Sequence, residues 1–382
     1  MKKIVLVGPV YPYKGGISHY TGLMYKALSK KYQVVMVSYK LQYPKLLFRK
    51  EQRDYENDSF KIEGTNYWLH TVYPWNWVKT AAKIKKQKAD MVIFQWWHPY
   101  FAPCYWLLCK CLKGTKILFV CHNVFPHERF PLDRFLAKSV LRQGSGYIVQ
   151  SKMDGEDLHT IIKHPVFRQT VHPTYNAFQI KNMTKEEARA ELGIGREEKI
   201  LLFFGFIREY KGLKYLIEAM RTVTERLSDV KLLVVGDFSG AESKQEYMDR
   251  IEQCGAGDAI EVYDGYIPDK EVEKFFAACD LVTLPYISAT QSGIVQIAFG
   301  FEKPVIVTDV GGLPDVVEDG KTGYVVGAGK PEELAKAVIR YFTGDVEKQF
   351  RENIKKEAYR FSWDRMTEVV EELDRYDGRE DS

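Results

Sequence analysis

Ten short apolar runs set the folding problem for this chain of 382 residues. In the first half they are KKIVLV (2–7), QVVMVS (33–38), ADMVIFQWW (89–97), TKILFVCHN (115–123) and SGYIVQS (145–151). In the second they are KILLFFG (199–205), VKLLVVGD (230–237), AIEVYDG (259–265), DLVTLPY (280–286) and KPVIVTD (303–309). Each is rich in Val, Ile or Leu, too short for a buried helix, and followed by a loop and a helical segment. Near-continuous apolar strands that alternate with helices form parallel sheets covered on both faces. The alternation pauses over 165–185, which holds Pro165, Pro173 and the Thr184-x-x-Glu187 spacing of a capping box. A chain of this length exceeds one core. The reading is therefore α/β, two doubly wound parallel-sheet domains. The first is expected over 1–175 and the second over 176–345. Helices follow over 346–382, the last of them (361–373) crossing back to the first domain. In such sheets a ligand binds outside the carboxyl ends of the strands, here expected in the cleft between the halves.

Composition narrows the class. With 45% hydrophobic and 28% charged residues the chain reads as a soluble globular protein. No run of 18 apolar residues exists, so no transmembrane helix is expected. The opening MKKIVLVGPVYP has an apolar run only from Ile4 to Val7 and no small-residue cleavage site, so it reads as a first strand. A cytoplasmic location is expected. None of the six cysteines forms a C-x2-C pair, which argues for free thiols rather than zinc. The net charge of +4 hides a split: residues 1–175 hold 27 Lys+Arg against 11 Asp+Glu, whereas 176–382 hold 28 against 40. The basic half also carries six of the seven tryptophans. Basic plus aromatic suits nucleic acid or an anionic membrane surface. No motif with groove-reading geometry is present, so nucleic acid is not expected as a partner. Neither G-x-G-x-x-G nor a P-loop occurs, and the second strand ends on Ser38 where a dinucleotide site needs an acid. These absences argue against a dehydrogenase.

Three constellations carry chemistry. In GPVYPYKGGISHY (8–20), Gly15 and Gly16 lie between the first strand and the first helix, where backbone amides approach an anion. In the second constellation, strands end at His98 and at His122-Asn123, histidines placed to orient hydroxyls or carry protons. His19, His98 and Asn123 are the candidate acceptor contacts. Third, Gly205 ends a strand before Arg208, Lys211 and a helix, and Ser292-Gly293 opens another helix after Pro285-Tyr286. Two cations beside the amides of Gly293, Ile294 and Val295 make a diphosphate site.

The layout resembles the retaining, nucleotide-sugar-dependent glycosyltransferases of the GT-B fold, family 4 (group 1), over Ile4 to about Leu373. Most of the resemblance lies in Gly205-x5-Lys211-Gly212, VVGD (234–237), YDGYIP (263–268) and the series 285–326. It implies two Rossmann-like domains, the first for an acceptor and the second for a nucleotide-sugar donor. It implies that Lys211, with Arg208, binds the donor diphosphate, that Tyr266 and Ile267 contact the base, and that Ser292 to Val295 contact the sugar and distal phosphate. Gly15 and Gly16 close over the phosphates, His122 lies beside the reacting sugar, and Gly205 and Asp237 belong to the donor site. There are two departures. Phe206 stands where arginine often follows the strand-end glycine. The usual pair of glutamates eight positions apart is missing: Ala289 or Thr290 replaces the first, and Ile297 or Ala298 the second. Gln291 and Ser292 can supply hydrogen bonds there but no charge. The branch is divergent, and a degenerate nucleotide-sugar-binding scaffold is the alternative to an active enzyme.

The resemblance implies sugar transfer from a nucleotide diphosphate sugar to an acceptor hydroxyl with retention, without a cofactor. No D-x-D motif lies in the right context, so no metal is expected. Residues 66–90 place Trp68, Trp75 and Trp77 before Lys79, Lys83, Lys85, Lys86 and Lys88. Aromatics beside a lysine-rich helix fit a membrane-surface element. Peripheral docking on the inner leaflet and a lipid-linked or glycan acceptor are expected on that ground.

Overall fold

The computed structural model describes residues 1–48, 51–55, 58, 61–126, 130–174, 178–238, 244–289 and 292–376. The chain divides into two compact units. Unit 1 comprises Met1–Val171 and Ser362–Ser382, and unit 2 comprises His172–Phe361.

Unit 1 is built from β1 (Lys3–Val7), α1 (Gly16–Leu28), β2 (Gln33–Leu41), β3 (Asn66–His70), α2 (Pro74–Lys86), β4 (Met91–Trp96), α3 (Ala102–Cys111), β5 (Lys116–Cys121), α4 (Asp133–Leu141), β6 (Gly146–Val149), α5 (Lys152–Ile161) and β7 (Phe167–Gln169). Its sheet runs β3-β2-β1-β4-β5-β6-β7, with every pair parallel. All six residues of β4 are buried, as its mostly apolar run predicts for a central strand. One face is packed by α2 to α5 through Trp77, Tyr105, Ala137 and Leu158. The other is packed by α1 and by α13 (Trp363–Arg375), through Tyr20, Met24, Met366 and Val370. Ion pairs Lys31–Glu371 (2.8 Å) and Lys2–Asp374 (2.7 Å) line the α13 seam.

Unit 2 comprises α6 (Lys185–Leu192), β8 (Lys199–Phe204), α7 (Leu213–Arg226), β9 (Val230–Gly236), α8 (Lys244–Gln253), β10 (Ile260–Asp264), α9 (Asp269–Ala278), β11 (Leu281–Leu284), α10 (Gly293–Gly300), β12 (Val305–Thr308), β13 (Gly323–Val326), α11 (Pro331–Thr343) and α12 (Glu347–Glu357). The sheet order is β10-β9-β8-β11-β12-β13, again wholly parallel. The order reverses direction beside β8, which makes the β8/β11 edge the topological switch point of this unit. Helices α7, α8 and α11 cover one face through Leu216, Tyr247 and Val338. On the other face Phe204 packs on Phe276 at 5.1 Å, and Phe276 on Phe301 at 5.6 Å. The capping box at α6 forms in full: Thr184 Oγ1 accepts from Glu187 N and the Glu187 carboxylate accepts from Thr184 N.

The ten anticipated strands are all present, and three more appear: β3, β7 and β13. Each of the three ends its sheet and pairs on one side only.

Candidate active site

In unit 2 the carboxyl end of β8 is shaped by close backbone approaches. Gly205 has φ +112°, and a Cβ there would lie 2.9 Å from Lys211 Nζ. Gly212 has φ +66°, and a Cβ there would lie 1.9 Å from the Pro285 carbonyl oxygen. Only glycine fits either place. The short turn Glu209–Lys211 is tied to the exit of β11 by Ile287 N donating to Tyr210 O at 2.7 Å. These approaches fold the Lys211 side chain inward. It is 8% exposed, with Nζ 5.6 Å from the centre of the Tyr286 ring.

Burial pushes the Lys211 ammonium below its ordinary range; Tyr210 opposes this, and the charge of Arg208 adds to it. No carboxylate contributes. Among the described residues Lys211 makes no ion pair. A buried ammonium without a counter-ion is costly, and the cost is met when an anion binds. Arg208 sits exposed on the same turn.

Tyr286 is buried, and burial pushes its phenol up to about 12, against the lowering effect of Ser292. Its hydroxyl lies 3.3 Å from Ser292 Oγ, and its carbonyl accepts from Thr308 Oγ1. Ser292 is the N-cap of α10 and accepts from Ile294 N at 3.3 Å, while Val295 N donates to Ser292 O at 3.2 Å. Of the three amides expected to face an anion, Ile294 and Val295 are thus engaged by the cap residue, and Gly293 carries no bond among the described residues. A serine at the N-cap saturates its own helix first. Gln291 and Thr290 lie outside the described residues. Ala289, Ile297 and Ala298 are all buried, so none of these positions brings a polar group to the surface.

The remaining donor candidates follow along the same edge. Asp237 is half-buried after β9, and its carbonyl accepts from Ile207 N at 2.9 Å. Tyr266, exposed, and Ile267, half-buried, lie in the turn after β10. Gly205, Asp237 and Tyr266 thus stand at the ends of three adjacent strands, and Tyr286 at the end of the fourth. At the usual spacing of about 4.8 Å, this row is roughly 15 Å long.

In unit 1 the candidates gather at the carboxyl ends of β1, β4 and β5. Gly15 has φ +106°, and a Cβ on it or on Gly16 would meet nothing within 4 Å, so the loop is open above. His19 is half-buried on the first turn of α1. His122 is 8% exposed; its Nε2 lies 2.7 Å from Gln95 Oε1 and its ring packs edge-on to Tyr20 at 4.6 Å. With Gln95 Oε1 accepting, the ring donates from Nε2. Asn123 is half-buried beside it. His98 does something else: its Nδ1 accepts from Tyr100 N at 3.0 Å and caps the turn Pro99–Phe101. Burial lowers its pKa.

Two residues not singled out in the sequence hold the His122 turn. Gln95 is wholly buried, and its polar side chain inside an apolar strand run was the available signal. Asp154 is the other: Oδ1 accepts from Val124 N at 3.0 Å, and Oδ2 accepts from Ser151 Oγ at 2.6 Å. Burial raises its carboxyl from 3.8 to about 6, against the lowering effect of both bonds. Ser151-x-x-Asp154 has capping-box spacing, which marked the helix start but not the tertiary bond.

Residues 184–361 match the family model described as glycosyl transferases group 1. Among curated proteins, a D-inositol 3-phosphate glycosyltransferase of Segniliparus rotundus is 32% identical over 255 residues, covering 62% of this chain and 57% of the relative. The protein of the same description from Corynebacterium urealyticum is 30% identical over 195 residues, covering 49% and 45%. The chain thus spans about half the length of the curated relatives it matches. Among solved structures, a glycosyltransferase from Rickettsia africae has a TM-score of 0.73 at 19% identity, covering 98% of this chain and 97% of that one. Anabaena HepE in complex with UDP has a TM-score of 0.73 at 17% identity, covering 97% and 99%. At these identities the likeness to solved structures is one of fold.

Proposed function

We propose that this chain, whose residues 184–361 are a group 1 glycosyltransferase domain within a GT-B fold, moves a sugar from a nucleotide diphosphate sugar to an acceptor hydroxyl with retention. The observation that carries this is Lys211: a buried ammonium with no carboxylate among the described residues, at the switch-point edge of its sheet, beside Tyr286 and the start of α10. The diphosphate binds there, with Arg208 and the Gly293 amide as further donors. The base lies along the row toward Tyr266 and Ile267. That HepE was solved with UDP and with UDP-glucose favours a nucleoside diphosphate sugar as donor, with uridine and guanosine as the bases to test.

The chemistry follows from where charge develops. The bond from the anomeric carbon to the diphosphate oxygen breaks as the acceptor oxygen bonds to that carbon from the same face. The acceptor proton passes to the departing phosphate oxygen, and the nucleoside diphosphate leaves. Lys211, Arg208 and the helix amide stabilise the growing phosphate charge, so the step needs no divalent metal. His122, fixed by Gln95, orients the reacting sugar. The acceptor binds unit 1 and is a glycan or lipid-linked precursor, met at the inner face of the cytoplasmic membrane.

A nucleotide-sugar-binding scaffold without turnover is the second reading. The buried, apolar Ala289 and Ile297 favour it, because they leave the positions of the family's glutamates without charge. A calorimetric panel of UDP, GDP, ADP and CDP, with and without magnesium, tests the first claim. One diphosphate should bind selectively and independently of magnesium. Donor hydrolysis or transfer with the matching sugar nucleotide then separates enzyme from scaffold. If none of the four binds, both readings fall.

A further inference from the structure

The loop that carries Gly15 is held from outside itself. It runs from the end of β1 at Val7 to the start of α1 at Gly16, and within it Tyr13 N donates to Val10 O at 3.0 Å. Gly15, at φ +106°, has no side chain to pack and leaves the loop pliable.

The restraint comes from the excursion after β2. Residues 51–55 form a strap that runs antiparallel to the loop, with a β-bridge between Tyr13 and Arg53. Lys14 N donates to Gln52 O at 3.0 Å, and Asp54 N donates to Pro12 O at 2.7 Å. The Tyr11 hydroxyl donates to Tyr55 O at 3.0 Å, and the hydroxyl of Tyr67, on β3, donates to Tyr11 O. Each residue from Tyr11 to Lys14 is thus tied to the strap or to β3, and Gly15 follows directly.

Arg53 is the centre of the strap. Its Nη2 donates to the Tyr13 hydroxyl at 3.1 Å and to the Lys40 carbonyl in β2, and its Nη1 donates to the Tyr55 hydroxyl at 3.3 Å. Its Cζ lies 5.2 Å from the centre of the Tyr13 ring. Tyr13 is buried and passes its own proton to Tyr39 O at 3.1 Å. The bond to Tyr13 leads the effects that raise the Arg53 pKa, and no carboxylate is among them. A surface arginine ordinarily faces water or an acid. This one divides its planar fork among three neutral oxygens, on the glycine loop, on β2 and on the strap. Lysine, a point donor, does not join all three.

The strap is anchored in turn. Gln52 Nε2 donates to Tyr43 O at 2.8 Å, Tyr43 N donates to Gln52 Oε1 at 3.1 Å, and the Tyr43 hydroxyl accepts from Trp97 Nε1 at 3.0 Å. The restraint runs from the end of β4 through Tyr43, Gln52 and Arg53 to Tyr13 and Lys14.

We propose that Arg53 is a positioning residue for the glycine loop, holding Tyr13 and Lys14 so that the Gly15 and Gly16 amides stand ready for a phosphate. Its consequence for turnover rests on the transferase reading; the anchoring does not. Amides preset toward developing charge need no reorganisation during the reaction, so losing the preset falls on turnover more than on diphosphate binding at Lys211.

The test is hydrogen exchange of the full chain, wild type against Arg53→Met, Arg53→Lys and Gln52→Ala. In Arg53→Met the amide of Lys14 should exchange at least about tenfold faster, with β4 and β5 unchanged within about twofold. Arg53→Lys should lie between. Gln52→Ala loosens the same loop from the other end of the strap, so the test does not depend on one variant folding. In Arg53→Met, kcat for hydrolysis of UDP-glucose or GDP-glucose should fall at least about tenfold, while the Kd of the matching nucleoside diphosphate stays within about threefold of wild type. Exchange at Lys14 that matches wild type, or that rises equally throughout unit 1, would overturn the proposal. So would a faster-exchanging loop with kcat unchanged. A wild type that binds none of the nucleotides counts against the transferase reading instead, and exchange alone then decides the anchor.

Discussion

Lys211→Met is the substitution that most directly interrogates the donor site. The ammonium is buried, pushed below its ordinary pKa by that burial, and faces no carboxylate among the described residues. In the ligand-free protein it therefore costs stability, offset in part by the Tyr286 ring, a desolvated contact worth roughly 2 kcal/mol. Methionine keeps the length and removes the charge. Net stabilisation of about 1–3 kcal/mol is expected, by analogy with buried charges replaced by apolar side chains. In a unit of this length that raises the melting temperature by roughly 2–10 °C. The sign with pH follows from the lowered pKa. The penalty is full below the folded-state pKa and is relieved as pH rises through it toward 10.5, so the gap between variant and wild type closes in alkali. Binding moves the other way. Losing the cation from a diphosphate contact costs about 2–5 kcal/mol, or roughly 30-fold to several thousandfold in Kd. Differential scanning calorimetry with and without nucleotide, plus titration calorimetry, reads both. A variant less stable than wild type by more than about 1 kcal/mol, or one whose nucleotide affinity changes less than about threefold, would show that Lys211 is a structural lysine and refute the reasoning.

Other positions give independent checks. Gly212→Ala drives a Cβ to 1.9 Å from Pro285 O and should cost more than about 4 kcal/mol, while Gly193→Ala, also at positive φ (+70°) but with nothing within 4 Å, should cost only about 1 kcal/mol; urea denaturation of the pair tests the contrast. Asp154 has a raised carboxyl pKa, so its contribution to stability is present below about pH 4 and lost as pH rises through about 6. Asp154→Asn keeps an acceptor for Val124 N and should flatten the stability profile between those values, measured as the denaturation midpoint from pH 4 to 8. Gln95→Leu removes the acceptor that faces His122 Nε2 and should cost about 1–3 kcal/mol; nitrogen-15 spectra of the imidazole should then differ from wild type.

The sequence carried the fold because buried parallel strands are written as unbroken apolar runs, and the three strands it did not mark are edge strands. In β3 (NYWLH) every residue but Leu69 is only half-buried, and β7 is three residues long with none buried. One-sided pairing leaves such strands partly in water, so their composition is not distinctive. The site was legible to the extent that strand ends fix it, since one edge of a parallel sheet collects every carboxyl terminus. What the sequence did not carry was the direction of side chains in turns. A lysine three residues past an arginine reads as a solvated turn; it is buried only because Gly212 lets the turn press on Pro285. Ser292 reads as an anion-site residue, yet it spends its oxygen on its own helix. His98 reads as a twin of His122 but serves as a cap. For Ser292 and His98 a short-range bond inside the turn competes with the ligand for the same group, and sequence spacing does not decide that competition.

The absent glutamates lead to a last expectation about where the affinity resides. In the family pattern one carboxylate touches the donor sugar; here the position is Ala289, buried, or Thr290. A charge-assisted hydrogen bond contributes about 1.5–3 kcal/mol, so the sugar loses an increment of that size. The diphosphate keeps Lys211 and the Gly293 amide, and Arg208, two residues past Phe206, is the cation placed to stand in for the usual arginine. Recognition is therefore weighted toward the phosphates. The preferred nucleoside diphosphate should bind within about tenfold of its sugar nucleotide, whereas removal of the terminal phosphate should weaken binding by roughly a hundredfold or more, as loss of a buried charge pair of about 3 kcal/mol implies. Titration calorimetry with the monophosphate, diphosphate and sugar nucleotide of one base measures both ratios. If the sugar nucleotide instead binds a hundredfold tighter than the diphosphate, strong polar contacts to the sugar come from elsewhere in the chain, and the weighting toward phosphate is wrong even though the transferase reading stands.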